Sequence, residues 1–152
     1  MRPRLLITAC LAALLFSGCT TVPAAGPAAP VSAPAAPATI KGSEESSALF
    51  DNFTAFIAAV DGQPVAAGRA GWDTPLEVKP GRHVLTGAFK RGVFSATAQL
   101  ELLAVAHANY QLKYTTDAQL FGKNSFCDFW IADLATGQPV TAVTKAAVVK
   151  GN

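Results

Sequence analysis

The chain has 152 residues, one domain's worth, and its 51% hydrophobic content overstates the core because an apolar N-terminal run and an alanine-rich stretch inflate it. The formal net charge is +2, but Arg2 and Arg4 both precede Cys19, and from Cys19 onward ten Lys/Arg balance ten Asp/Glu. A neutral surface offers no basic footprint for nucleic acid and no polybasic patch for anionic lipid, so both partners are disfavoured.

Arg2 and Arg4 lead into an apolar run from Leu5 to Phe16, then Ser17, Gly18 and Cys19. At about 12 residues the run suits the apolar region of an export signal and falls short of the ~20 that a membrane-spanning helix needs. An ordinary secretory signal would instead be cut near Ala24 or Ala25, and a buried N-terminal helix would find nothing to pack against in the Pro/Ala stretch that follows. Phe16-Ser17-Gly18-Cys19 resembles the lipobox of bacterial lipoprotein signals, although Phe16 stands where leucine is usual. That resemblance implies removal of residues 1–18, lipid on Cys19 (palmitate among the acyl chains) and a membrane anchor through it. Thr20 stands where enteric-type lipoproteins kept at the inner membrane tend to carry Asp. The resemblance therefore implies an outer-membrane protein facing the periplasm.

Lipid on Cys19 has a second consequence. Cys10 leaves with the signal, so Cys127 keeps no intramolecular partner and no internal disulfide is expected. The domain has to hold itself together by packing.

Residues 19–47 read as a tether. Pro23 to Ala38 is nearly all Pro and Ala, and a proline every three or four residues removes helix donors and clashes with the preceding turn. The expected state is extended and PPII-like, with a reach on the order of 80 Å from Thr20 to Ser47 at ~3.1 Å per residue. It carries no flanking basic or aromatic residues to orient it in a partner's groove, which favours a spacer over a proline-rich ligand.

A globular domain is expected over residues 48–152. Phe53 to Val60 is apolar on both faces and also fits a helical stripe, but the Asp61-Gly62 turn after it favours a strand and hairpin. Gly68 to Pro75 reads as loop, and Leu76 to Lys79 as a short strand ended by Pro80-Gly81. Arg82 to Lys90 follows with His83, Leu85 and Phe89 on one face. The cleanest alternation comes next, with Ala96, Ala98, Leu100 and Leu102 inward and Ser95, Thr97, Gln99 and Glu101 outward. The pattern resumes with Tyr110, Leu112 and Tyr114 inward. After a polar loop around Asp117 to Ser125 come Phe126 to Ala132 and a closing strand within Val140 to Val149. About seven or eight short strands and no helix point to an all-β domain, an antiparallel β-sandwich or small barrel.

Gly-Gln-Pro-Val occurs at Gly62–Val65 and again at Gly137–Val140. The surrounding sequences share almost nothing, so two hairpins with the same turn chemistry explain the repeat better than duplication does. Leu76 to Tyr114 carries LEVKPGRHVL and then AHANYQLKY, and Phe129 to Asp133 with Thr136-Gly137 forms a strand and turn. This layout resembles small bacterial envelope lipoproteins with PEGA-like β-domains. The resemblance implies that Pro80-Gly81 is a hairpin turn, that His83 and Leu85 point into the sandwich, and that Tyr110 begins the returning strand. It implies no catalytic residues.

A search for chemistry returns little. His83 and His107 have no carboxylate or cysteine at metal-ligand spacing, so neither a metal nor a cofactor is expected. Cys127, between Phe126 and Phe129, reads as a small buried hydrophobe, and a Cys127/His83 nucleophile pair would need the two strands to meet. No G-x-S-x-G and no Gly-rich phosphate loop is present. Trp72 in a Gly-flanked loop and Trp130 are the candidate binding residues, against the plainer reading that both cap core edges. The expectation is a non-enzymatic envelope lipoprotein that acts as a structural or protein-interaction module, its partner another envelope protein. The alternative is a small ligand- or glycan-binding module that uses the exposed aromatics.

Overall fold

The structure is a computed structural model that describes residues 35–48, 51–118 and 125–151. The expected signal segment, Cys19 and most of the Pro/Ala stretch lie outside these residues. Eleven strands follow in order: β1 (Ala38–Lys41), β2 (Ser43–Glu45), β3 (Phe53–Val60), β4 (Gln63–Pro64), β5 (Leu76–Val78), β6 (Gly81–Arg91), β7 (Phe94–Ala104), β8 (Asn109–Thr116), β9 (Phe126–Asp133), β10 (Thr144–Ala147) and β11 (Val149–Lys150). A 3-10 turn at Gly68–Gly71 separates β4 from β5.

The strands form two sheets packed as a sandwich. The first runs β10-β9-β8-β1-β5, the second β11-β7-β6-β3-β2, with β4 also paired to β3. All pairings are antiparallel except β1 with β8, which is parallel. The long β6–β7 hairpin forms because Gly81 to Arg91 pairs residue for residue with Ala104 to Phe94 and no bulge interrupts the register.

Period-2 alternation places the core where the sequence expects it. Leu85 and Phe89 of β6, Leu100 and Leu102 of β7, Leu112 of β8, and Phe129 and Ile131 of β9 are all fully buried between the sheets. Side chains of this size each contribute roughly 1.5–3 kcal/mol by leaving water. Gly87 serves that packing, since a Cβ there would stand 3.2 Å from a Leu112 methyl. Phe89 stacks at a tilt on Phe53 and Tyr114, and the Tyr114 hydroxyl donates to the Phe53 carbonyl at 2.9 Å, tying the two sheets together.

Three expectations need correction. Pro80-Gly81 is not a hairpin turn, because it leads from β5, paired with β1 in the first sheet, into β6, paired with β3 and β7 in the second. The tether does not extend to Ser47 and the domain does not begin at Ala48: β1 starts at Ala38, with Ala38 and Ile40 fully buried and β2 following at once. Pro37 is the last proline of the Pro/Ala tract, so every main-chain donor of β1 and β2 is available, and the short run Ala-Thr-Ile-Lys alternates like any strand. The closing segment is not one strand either. Val140 joins Ile131 through a main-chain bond of 2.8 Å, β10 pairs with β9, and the chain then crosses at Val148 so that β11 joins β7 in the other sheet.

The repeated Gly-Gln-Pro-Val does mark two hairpins. Asp61 and Gly62 both adopt positive φ (50° and 79°), which a two-residue hairpin turn of this twist requires. Pro64 then pairs with Ala59, as Pro139 pairs with Ala132 after Gly137 at φ 71°. Val65 and Val140 donate to the carbonyls of Ala58 and Ile131, both at 2.8 Å. The second hairpin has a longer turn, capped by the Asp133 carboxylate, which accepts from Ala135 and Thr136.

Candidate interaction surface

The sequence-derived candidates do not meet in one site. Trp72 closes the 3-10 turn, and its carbonyl accepts the Gly42 N–H at 2.6 Å. Its half-buried ring lines a shallow, mostly apolar cavity of about 370 Å³, counting the open mouth, together with Ile40, Ile57, Val65 and Leu76. Trp130 lies elsewhere, half-buried on the outer face of the first sheet and opposite Lys113. It does not line the Trp72 cavity.

Cys127 is buried between the sheets, and burial pushes its thiol up to about 12. A thiol held protonated at neutral pH is a packing group and not a nucleophile. His83 belongs to the other sheet, and both its ring nitrogens are engaged. Nδ1 lies 2.7 Å from the Asp61 carboxylate and Nε2 lies 2.7 Å from the Lys79 carbonyl. Two acceptors at that distance call for two N–H donors, which only the imidazolium supplies. The Asp61 hydrogen bond raises the His83 pKa against the opposing effect of burial. Asp61 in turn is held below its ordinary value, chiefly by the Val84 N–H and then by His83. The group fastens the β3–β4 turn to β6, so His83 is structural.

Arg91 is a cation that the sequence did not single out. It is buried at the β6–β7 turn, stacked over Phe53 at 3.8 Å, with Nη1 donating to the Ala118 carbonyl at 2.8 Å. Among the described residues, no group of three or more His, Cys, Asp or Glu is placed to hold a metal ion. No helix among them is long and apolar enough to cross a membrane.

The feature that stands out is a strand edge. The Asp61 N–H donates to the Val84 carbonyl, so Val84 and the even-numbered residues of β6 direct main-chain groups toward β3. Odd-numbered β6 residues therefore bond the even-numbered residues of β7, and Ser95, Thr97, Gln99, Glu101 and Leu103 direct theirs away from β6. β11 pairs there with Ser95 and Phe94 only. Among the described residues no strand pairs with Thr97 to Leu103, although β10 of the first sheet runs close beside β7. The same stretch is apolar toward one end of the sandwich, where Leu103 is 67% exposed, Val105 59% and Val84 38%.

The sequence showed β7 as the cleanest half-buried strand but could not show that one side of it is bare. The signal within reach was the break in outward polarity, where Ser95, Thr97, Gln99 and Glu101 give way to Leu103 and Val105.

No protein-family model, curated protein or solved structure matches the chain.

Proposed function

We propose that this chain is an envelope lipoprotein, anchored in the outer membrane by lipid on Cys19 and facing the periplasm, whose PEGA-like β-domain is a non-enzymatic protein-interaction module. The observation that carries the interaction reading is the bare Thr97–Leu103 edge of β7, bordered by exposed Leu103 and Val105. Unpaired edges are templates for another strand, and proteins that do not use them blunt them. The anchor rests on Phe16-Ser17-Gly18-Cys19 after a run too short to span a bilayer.

The glycan-binding alternative would use Trp130. It shares the outer face of β9 with Phe126 and Asp128 and stands opposite Lys113. Trp72 serves this reading less well, because it lines a cavity at the sandwich edge and helps to close it.

Two measurements test the proposal. The intact mass of the mature protein should show a diacyl or triacyl addition that Cys19→Ala abolishes; an unlipidated mature chain that starts beyond Cys19 overturns the anchor. Crosslinking in intact envelopes from a photoreactive residue at Gln99 should trap a protein. Trapping only through a probe at Trp130, and only of glycan, would favour the alternative.

A further inference from the structure

We propose that the end of the sandwich where the chain enters the domain seats on the bilayer surface, with its exposed leucine and valine side chains at the boundary between headgroups and acyl chains. This rests on the anchor reading and adds a second, non-covalent hold on the same membrane. The domain then stands end-on, its strands directed away from the bilayer.

Main-chain bonds define this end. The His107 N–H donates to the Pro37 carbonyl at 3.3 Å and the Thr39 N–H to the Ala108 carbonyl at 2.9 Å, so the chain reaches β1 beside the β7–β8 turn. Leu134 follows β9 at the same end, its N–H donating to the Asn109 carbonyl at 2.8 Å. Val105 stands in the β7–β8 turn, and Leu103 just before it lies across the ladder from Arg82, at the start of β6. Val84 shares the outer face of the second sheet with Leu103, one diagonal step away. Of the eight large apolar side chains exposed among the described residues, these four gather at this end, while Val93 and Val149 lie at the opposite one.

Where the preceding chain joins the domain selects the bilayer as the occupant. Eighteen residues, Thr20 to Pro37, separate Cys19 from β1. At ~3.1 Å per residue they reach on the order of 60 Å at most, and any shorter span brings this end, before any other, onto the bilayer that holds Cys19. Charge does not draw it there: Arg82 is paired with Glu101 and His83 with Asp61, so the seat is apolar. Main-chain groups at this end are engaged, since the Val105 carbonyl accepts from Ala108 as the Leu134 N–H donates to Asn109. Side chains are what Val105 and Leu134 offer, which suits a fluid apolar phase better than strand addition. The anchor supplies the rest, because tethering populates a contact too weak to hold a free domain.

The test places the lipidated full chain in phosphatidylcholine vesicles, with a polarity-sensitive fluorophore on one introduced cysteine; Cys127 is fully buried and does not compete for the label. At Val105→Cys the emission should shift to the blue when the protein enters vesicles, and nitroxide-bearing lipid should quench it. At Val93→Cys, on the opposite end, neither is expected. Leu134→Cys is the second probe should Val105→Cys fail to fold. Adding Leu103→Asp and Val105→Asp to the Leu134→Cys chain should abolish its quenching while the protein still floats with the vesicles. High salt should leave the quenching unchanged, because an apolar seat is not screened. Flotation without quenching at Val105 and Leu134, or with equal quenching at Val93, overturns the docking and leaves the anchor standing. A blue shift that nitroxide lipid does not quench means that a second copy covers this end, and overturns the bilayer as its occupant. A chain with unmodified Cys19 that never floats overturns anchor and docking together.

Discussion

The two long sides of the sandwich are finished in different ways. On one side the chain passes between sheets at Gly42, from β1 to β2, and the connection from Val65 to Pro75 folds across the gap. The sheet edges there are blunted. β5 has three residues between Pro75 and Pro80 with Glu77 at its centre, and β2 is Ser-Glu-Glu. On the other side the chain also crosses between sheets, from β10 to β11, but β11 reaches only Ser95 and Phe94. Charged, short and proline-flanked edges resist strand addition, and a long one with exposed leucine and valine does not. One side has blunted edges, and the other leaves most of β7 without a paired strand among the described residues.

The largest effect expected on the closed side comes from Gly42→Ala. A Cβ at this position would stand 2.1 Å from the Ala55 carbonyl oxygen and 2.9 Å from that of Trp72. Both are main-chain atoms in paired segments, so neither can swing aside, and the Gly42 bond to Trp72 goes with them. We expect a loss of about 4 kcal/mol or more, at the diagnostic end of single substitutions. Thermal or urea unfolding checks it; a variant within 1 kcal/mol of wild type, as an order-of-magnitude bound, would mean that the crossing is far more yielding than its geometry.

Arg69→Ala acts on the same side through polar contacts. Arg69 Nε donates to Thr54 Oγ1 at 3.2 Å and Nη2 to the Asn52 carbonyl at 3.3 Å. Thr54 is fully buried and donates to Glu44, which also accepts from Asn52. Removal of the guanidinium leaves the buried Thr54 oxygen one partner short, and a cost of about 1–2 kcal/mol follows. Denaturant midpoints measure it. The matching truncation on the open side, Glu101→Ala, should cost far less, and equal losses would erase the distinction between the sides.

How much of this was legible beforehand depends on whether the information is local. The inward row of Ala96, Ala98, Leu100 and Leu102 and the Asp61-Gly62 turn were readable because period and turn chemistry belong to a few neighbouring residues. The role of Ala-Thr-Ile-Lys was not, because four alternating residues beside a Pro/Ala tract become a strand only through β5 and β8, which lie far along the chain. The split of the last segment into β10 and β11 was equally hidden, since which sheet a valine joins is a tertiary decision. Trp72 and Trp130 were singled out by residue type, with a Gly-flanked loop in support of Trp72, and neither says whether a ring faces a groove. The bare edge of β7 is the extreme case. It is a fact about which strands fail to arrive.

The fastening at His83 should show itself in pH dependence. Its folded-state pKa is raised, so the charged histidine's contribution is fully present below the unfolded value of about 6.5 and is lost as pH climbs through the folded value. The lowered pKa of Asp61 gives the opposite limb: its contribution is present above 3.8 and is lost as pH falls through the lowered value. The melting temperature should therefore decline as pH rises from about 6.5 through the raised folded-state value of His83, and His83→Gln, which keeps a donor but not the charge, should flatten that decline. Parallel curves for the two proteins would remove His83 from the account.

The smallest effect is expected at Arg82→Ala. Arg82 Nη1 lies 3.0 Å from Glu101 Oε2 across the β6–β7 ladder, with both side chains about three-quarters exposed (75% and 72%). Water and salt screen such a pair, and holding two long side chains in one geometry costs entropy, so monomer stability should change by less than about 0.5 kcal/mol. Thermal melts check it; a clear loss of stability would show that the ion pair holds the ladder together, and that the open side depends on its surface charges in the way the closed side depends on Arg69.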